Sequence, residues 1–268
     1  MKKHGITMAI LAIALSGAAF AAEEEHNNGQ DFTKPLTRFD VRYQYERVNI
    51  EEHNNDFLTL RADKPLPVAK DWLLSTRLDL PLVLTNVKSP DNIGGVYKAG
   101  LSDMLAQAVF INTVNEEIAW GFGTQLILPT ATQDEMGSGK YQLLPMTGVR
   151  FSLPSIGKGD WIALLARYDY DFAGKSDRSH ISVLQFAPTV NFSLPNYWFI
   201  DLYPSMDIKY NCSAVRTGDS GRWFVPFDIM AGRMLSKKLV ASLEVGVPII
   251  KDYNVYDFKT EARLGYFF

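Results

Sequence analysis

Three observations predict an all-β fold, a closed transmembrane barrel of twelve antiparallel strands. The last residues, Glu261 to Phe268, alternate: Ala262, Leu264, Tyr266 and Phe268 share one side of an extended strand, and Glu261, Arg263 and Gly265 the other. The first residues carry the marks of an export signal. Between these ends period-two patterning recurs, while no run of eighteen apolar residues offers a spanning helix.

At the N-terminus, Lys2 and Lys3 precede a short apolar run, Ile6–Leu15, and a small-residue site, Ala19-Phe20-Ala21. That run is too short to span a bilayer, so we expect a signal peptide over 1–21, cleaved after Ala21. A polar tail, 22–35, follows, expected to be disordered or tucked into the lumen as a partial plug. The barrel is expected over 36–268. Its final strand, greasy on one face, charged on the other and ending on Phe268, resembles the closing strand of bacterial outer-membrane barrels, which implies the barrel-assembly machinery as a partner.

The chain has 268 residues, with 27 basic and 30 acidic. No basic cluster stands out, which argues against nucleic acid. Cys212 is the only cysteine, so neither an internal disulfide nor a cysteine metal set is available.

The first strand, 38–46, sets Phe39, Val41, Tyr43 and Tyr45 against Arg38, Asp40, Arg42 and Glu46. The second, 57–63, carries Arg61 and Asp63 on its polar face. The third, 72–84, sets Trp72, Leu74, Leu78, Leu80, Leu82 and Leu84 against Arg77 and Asp79. Strands over 101–111, 118–128 and 142–153 place Asp103, Gln107, Gln125 and Arg150 on the lumen side. The seventh, 161–172, sets Ile162, Leu164, Ala166, Tyr168, Tyr170 and Phe172 against Arg167, Asp169 and Asp171. The eighth covers 181–193. The ninth, 198–210, sets Trp198, Ile200, Leu202, Met206, Ile208 and Tyr210 against Asp201, Asp207 and Lys209. Strands over 223–234, 239–250 and 258–268 turn Asp228, Glu244, Glu261 and Arg263 inward. An even count with both termini at one end is what bacterial barrels need.

Within these spans Arg233 alone puts a charge on an apolar face, close to a strand end. A cation at the bilayer midplane costs about 2–4 kcal/mol, against about 0–1 near the interface. A soluble sandwich would alternate in the same way. Export, the aromatic terminus and two aromatic girdles favour the barrel: Trp72, Trp161 and Trp198 at the periplasmic rim, Tyr45, Tyr170, Tyr210 and Trp223 at the other. Short turns at 112–117, 154–160, 194–197 and 235–238 alternate with longer loops at 85–100, 129–141 and 211–222, and a Pro-containing turn is expected at 64–71. Pro81, Pro145, Pro188, Pro204, Pro226 and Pro248 fall inside strands, where bulges or shortened pairing are expected.

Several segments carry a family resemblance. They are Gly100-Leu101-Ser102-Asp103, Leu128-Pro129-Thr130-Ala131-Thr132 with Gly137-Ser138-Gly139-Lys140, and Gln185-Phe186-Ala187-Pro188 with Asn191-Phe192. Together they resemble the outer-membrane proteins grouped as the "MetA-pathway of phenol degradation" family, over roughly 36–268. Two residues separate Gln185 from Pro188 where that family tends to have Gln-Pro adjacent. The resemblance implies passage of small, often aromatic or hydrophobic compounds, and no catalytic residues.

From the residues themselves, the enclosed charges are the functional candidate: a narrow polar passage, or charges that pair and plug the interior. Pro188 and Pro204, on neighbouring strands, mark a wall that could open toward lipid. Lys140, in the outer loop, is placed to meet entering anions; the loop departs from a phosphate loop at Glu135 and Tyr141, so nucleotide binding is rejected. His180 and Ser182 suggest a rim-facing lipid hydrolase, but with Asp169 and Asp171 pointing inward no carboxylate is expected to orient the histidine. No cofactor or metal is expected, His26, His53 and His180 being scattered; a calcium ion on Asp169 and Asp171 is the weaker alternative. The expected function is an outer-membrane pore or uptake channel for small molecules, with a rim hydrolase or a structural barrel as alternatives.

Overall fold

A computed structural model describes residues 27–49, 53–89, 92–213 and 221–268. The expected signal peptide, residues 22–26 of the tail, and His26 with them lie outside the described residues. The wall comprises β1 (Arg38–Val48), β2 (His53–Ala69), β3 (Trp72–Thr85), β4 (Lys98–Leu101), β5 (Met104–Thr113), β6 (Ile118–Leu128) and β7 (Lys140–Ser152). It continues through β8 (Trp161–Gly174), β9 (Ser182–Leu194), β10 (Trp198–Leu202), β11 (Ile208–Asn211), β12 (Trp223–Ser236), β13 (Leu239–Lys251) and β14 (Phe258–Phe267).

Segments β4 and β5 both pair with β3, and β10 and β11 both bridge β9 to β12, so the fourteen segments make twelve staves. Every pairing is antiparallel. The sheet closes where β1 meets β14, Arg38 lying opposite Phe267 and Arg47 opposite Phe258. Closure leaves no long unpaired edge, the condition a sheet must meet in hydrocarbon.

The two faces follow the sequence parity. Phe39, Tyr43, Leu78, Leu82, Leu164, Leu243 and Leu264 are exposed on the outside, while Asp40, Asp79, Arg150, Asp201, Asp228, Glu244 and Arg263 are buried inside. Aromatic side chains gather on the outer surface at both ends. Trp72 and Trp120 meet edge-on at 5.5 Å near the terminus-bearing end, and Tyr210 and Trp223 at 4.9 Å near the opposite, loop-bearing end. Arg233 sits over the Trp198 ring at 5.6 Å and donates to the Asn196 carbonyl at 3.1 Å, which satisfies this outward cation at the rim.

Three expectations need correction. Trp161 does not join the outer girdle. It is 4% exposed and faces the lumen, because Ile162 and Leu164 hold the outward parity of β8. The turn expected at 64–71 shrinks to Lys70 and Asp71, since β2 runs on through Pro65 and Pro67. Those prolines are tolerated because β1 begins at Arg38, opposite Asp63, so β2 beyond that point has a free edge. Met206, expected outside, lines the interior instead.

Met206 belongs to the largest irregularity in the wall. Leu202 pairs with Val190 and Ile208 with Phe186, so Tyr203 to Asp207 face only Ala187, Pro188 and Thr189. Two extra residues keep the parity of β10 and β11 in step while bending the strand inward. The Tyr203 amide donates to the Asp228 carbonyl at 2.9 Å and its carbonyl accepts from the Thr189 hydroxyl at 2.8 Å. A smaller bulge at Ser102 lies opposite Pro81, whose carbonyl accepts from the Ser102 amide at 2.9 Å. That one extra residue flips the parity, so Leu101 pairs with outward Leu82 whereas Leu105 faces in. Pro226 and Pro248 pair with one another at a register shift.

Candidate functional site

The lumen is floored by the chain's own N-terminal segment. Asn27 to Thr37 enters the terminus-bearing end and forms a floor. Gly29 adopts φ 73°, and a Cβ there would press on Arg38 at 2.8 Å and on the Phe267 ring at 3.1 Å, so only glycine makes this turn. Asp31 holds the turn with one oxygen, accepting from the Thr33 amide at 2.9 Å and hydroxyl at 2.6 Å. Its other oxygen meets the Arg150 guanidinium at 3.1 Å, with both side chains buried. Phe32 lies against Gly121 and Gly148, whose missing Cβ atoms would stand 3.3 and 3.1 Å from its ring. Leu36 packs on an apolar core of Phe199, Met230, Met234, Val240 and Phe267 inside the same end of the barrel.

Above this floor lies a cavity of about 500 Å³. The staves that line it divide by chemistry. One side, β14 with β1 to β3, is ionic. Arg61 grips Asp79 with two bonds of 2.7 Å, Arg77 meets Asp63 at 2.7 Å, and Arg38 meets Asp63 at 2.5 Å. Arg42 meets Glu261 at 2.6 Å and Arg263 meets Asp40 at 3.0 Å. Register explains these pairs: Arg61 stands opposite Asp79 and Asp63 opposite Arg77 on β2 and β3.

The other side, β5 to β9, is largely apolar. Leu105, Val109 and Ile111, Ile127, Leu144 and Met146, Trp161, Ala163 and Leu165, and Ala187 face the cavity. A belt of hydrogen bonds crosses this wall. Gln125 donates to Gln107 at 2.7 Å, and Arg167 donates to Gln125 at 2.5 Å and to Gln185 at 2.8 Å. Gln185 in turn donates to Asp169 at 3.4 Å.

Next to the wall irregularity, Lys259 is enclosed by Asp207, Asp228 and Glu244, with the Glu244 carboxylate at 2.5 Å and Asp228 at 3.5 Å. The three carboxylates have oxygens within 4.8 Å of one another, a set of hard ligands whose middle is held by an ammonium. Asp228 approaches over Gly246, where a Cβ would stand 2.1 Å from its oxygen. Asp201 accepts from Asn191 at 2.5 Å and is fully buried.

Other sequence candidates fall away from the cavity. Asp103 accepts from the Ser138 amide at 2.7 Å and hydroxyl at 2.8 Å, and so holds the loop after β6 against the bulge. Lys140 opens β7, buried, with Asp171 at 3.3 Å, and is not displayed to solvent as an anion trap. Glu135 binds Ser89 at 2.5 Å and Lys98 at 2.9 Å; these hydrogen bonds hold its carboxyl down at about 2.

At the outer rim Asp171 does reach His180, 3.1 Å from Nδ1, against the expectation that it points only inward. Its place at the end of β8 lets one carboxylate serve Lys140 and the exposed imidazole together. Ser182, however, shares its hydrogen bond with the Tyr168 hydroxyl at 2.7 Å, so no serine–histidine–aspartate relay is assembled among the described residues.

Sequence reading did not place Asp31, Trp161, Gln185 or Asn191 among the lumen residues. Parity alone could have placed Gln185 and Asn191 inside, since they alternate with Ser182, which was read as rim-facing.

A closed antiparallel wall, apolar outside and polar within, defines the class: a β-barrel of the outer-membrane type. Solved structures show the same fold. An outer membrane channel from Pseudomonas putida F1 superposes with a TM-score of 0.68 at 13% identity, covering 89% of this chain and 98% of that one. The NanC porin gives 0.53 at 12% identity, over 86% and 98%. Outer membrane phospholipase A from Escherichia coli gives 0.50 at 10% identity, over 88% and 92%. No family model and no curated protein matches the chain.

Proposed function

We propose that this protein is a pore or uptake channel for small molecules in the outer membrane of a Gram-negative bacterium, taking aromatic or hydrophobic compounds, as the phenol-degradation family resemblance implies. The observation that carries this reading is the cavity itself, walled by ion pairs on one side and by apolar side chains on the other. A purely structural barrel would pack such apolar side chains against one another, as Phe199, Met230 and Val240 do near the floor, and leave no cavity beside them. The inward bulge at Tyr203–Asp207 lies between cavity and lipid, with Pro204, Ser205 and Met206 on the cavity lining, and supplies a route through the wall for solutes that avoid water. Insertion proceeds through the barrel-assembly machinery, engaged by the strand that ends at Phe268.

Single-channel recording in planar bilayers tests the proposal. Discrete low-conductance steps are expected, enlarged on removal of 27–35. Silence from both proteins, each shown to be folded and inserted, would sink it. The protein is assigned no catalysis: Ser182→Ala is expected to leave phospholipid release at the level of a protein-free control, as is the native protein.

A further inference from the structure

We infer that the lumen binds an amphipathic carboxylate, with its head on Arg167 and its chain on the apolar wall. The inference deepens the channel reading and rests on it for the route by which the ligand arrives. Six arginines of the interior have a carboxylate within 3.1 Å: Arg38, Arg42, Arg61, Arg77, Arg150 and Arg263. Arg167 differs. Among the described residues its hydrogen bonds go to the amide oxygens of Gln125 and Gln185 and to no carboxylate; Asp169, which accepts from Gln185, and Asp207 act on it only as charges at longer range.

A guanidinium in a low-dielectric interior is poorly compensated by neutral amides. An incoming carboxylate would offer two charged acceptors in the geometry the guanidinium prefers, in bonds roughly twice as strong as neutral ones. Gln125 and Gln185 flank the same position, and their amide hydrogens can then turn to the ligand. The rest of the ligand is set by the surroundings. Leu105, Val109, Ile127, Leu144, Met146 and Leu165, on β5 to β8, line the cavity with this arginine, and Met146 stands opposite it on β7. A volume of about 500 Å³ suits a small ligand of medium chain length. Opposite Arg167 the cations are already paired, so they add little pull on a second anion.

Binding is read on the detergent-solubilised full chain by isothermal titration calorimetry, with acetate, hexanoate, octanoate and octanol as probes. Affinity is expected to rise about fourfold per added methylene along the acids. Arg167→Gln should weaken octanoate at least tenfold and leave octanol unchanged, and Arg167→Lys should recover part of the loss. Equal affinity of native protein and Arg167→Gln for octanoate overturns the inference, as does octanol binding as tightly as octanoate. Far-UV circular dichroism and resistance to sodium dodecyl sulfate check that each variant keeps its barrel; should Arg167→Gln unfold, the comparison of octanoate with octanol on the native protein decides alone. Because the readout is binding, a protein that binds octanoate through Arg167 yet carries no current would refute the channel and not this site.

Discussion

Replacing Asp31 by alanine tests whether the N-terminal segment closes the barrel. Asp31 and Arg150 are 3.1 Å apart, with side chains 5% and 3% exposed. Removing one partner of such a buried pair costs about 3–5 kcal/mol, since the other charge is left behind without compensation. The loss falls on seating of the segment and not on the wall, because Arg150 lies on a fully laddered part of β7, opposite Ala119 and Ala163. At about 1.4 kcal/mol per decade, the unseated population should rise by roughly two to nearly four orders of magnitude. In planar bilayers the single variant should therefore show long openings at the conductance of the 27–35 deletion. Adding Arg150→Met should shorten those openings again, because no stranded cation then opposes seating. Equal records for native protein and Asp31→Ala, alongside a larger conductance for the deletion, would refute the ion pair as the latch.

Two further outcomes follow from loop and wall. Glu135 titrates at about 2, below its ordinary value, so its hold on Ser89 and Lys98 is complete above about pH 4.5 and is lost as pH falls toward about 2. Pepsin should spare the 129–139 loop at pH 4 and cut it at pH 2, while Glu135→Gln is cut at both; indifference of the native loop to pH would defeat this account. Hydrogen exchange should run faster at Ser205–Asp207, which face a gap in the ladder, than along β12 and β13 near Ile229 and Val245, where the ladder is continuous. Uniform protection around the barrel would remove the proposed path through the wall.

The staves were legible because a barrel strand writes its two surroundings into alternate residues, and hydrocarbon tolerates few exceptions. Each of the twelve expected strands has a counterpart, and even the in-strand prolines fall where they were expected to disturb pairing: Pro81 opposite the Ser102 bulge, Pro188 opposite Tyr203–Asp207, Pro226 at a register shift. Parity was overruled at Trp161: it falls on the inward side of β8 with Arg167 and Asp169, yet tryptophan at a strand end reads as girdle by default. Pro65 and Pro67 misled because a free edge depends on where the neighbouring strand begins, which β2 does not record.

The division of the lumen into an ionic and an apolar half was illegible for a different reason. Period two separates inside from outside, yet it says nothing about what lies beside or across a residue once inside. Arg61 and Arg167 are the same kind of residue on the same face of similar strands. One stands opposite Asp79 and the other opposite Gln185, and that difference is set by register between strands. The floor was expected as one of two fates of the tail, the other being disorder, and nothing local decided between them. Asn27 to Thr37 looks like polar tail because its partners are distant: Arg150 for Asp31, Gly121 and Gly148 for Phe32, Met230 for Gln30. Each contact joins residues at least 89 positions apart, so no local pattern could carry it. The chemistry inside a barrel is therefore decided by contacts between staves, and a substitution that preserves alternation perfectly, such as Arg167→Gln, is expected to leave the fold intact while removing the proposed carboxylate site.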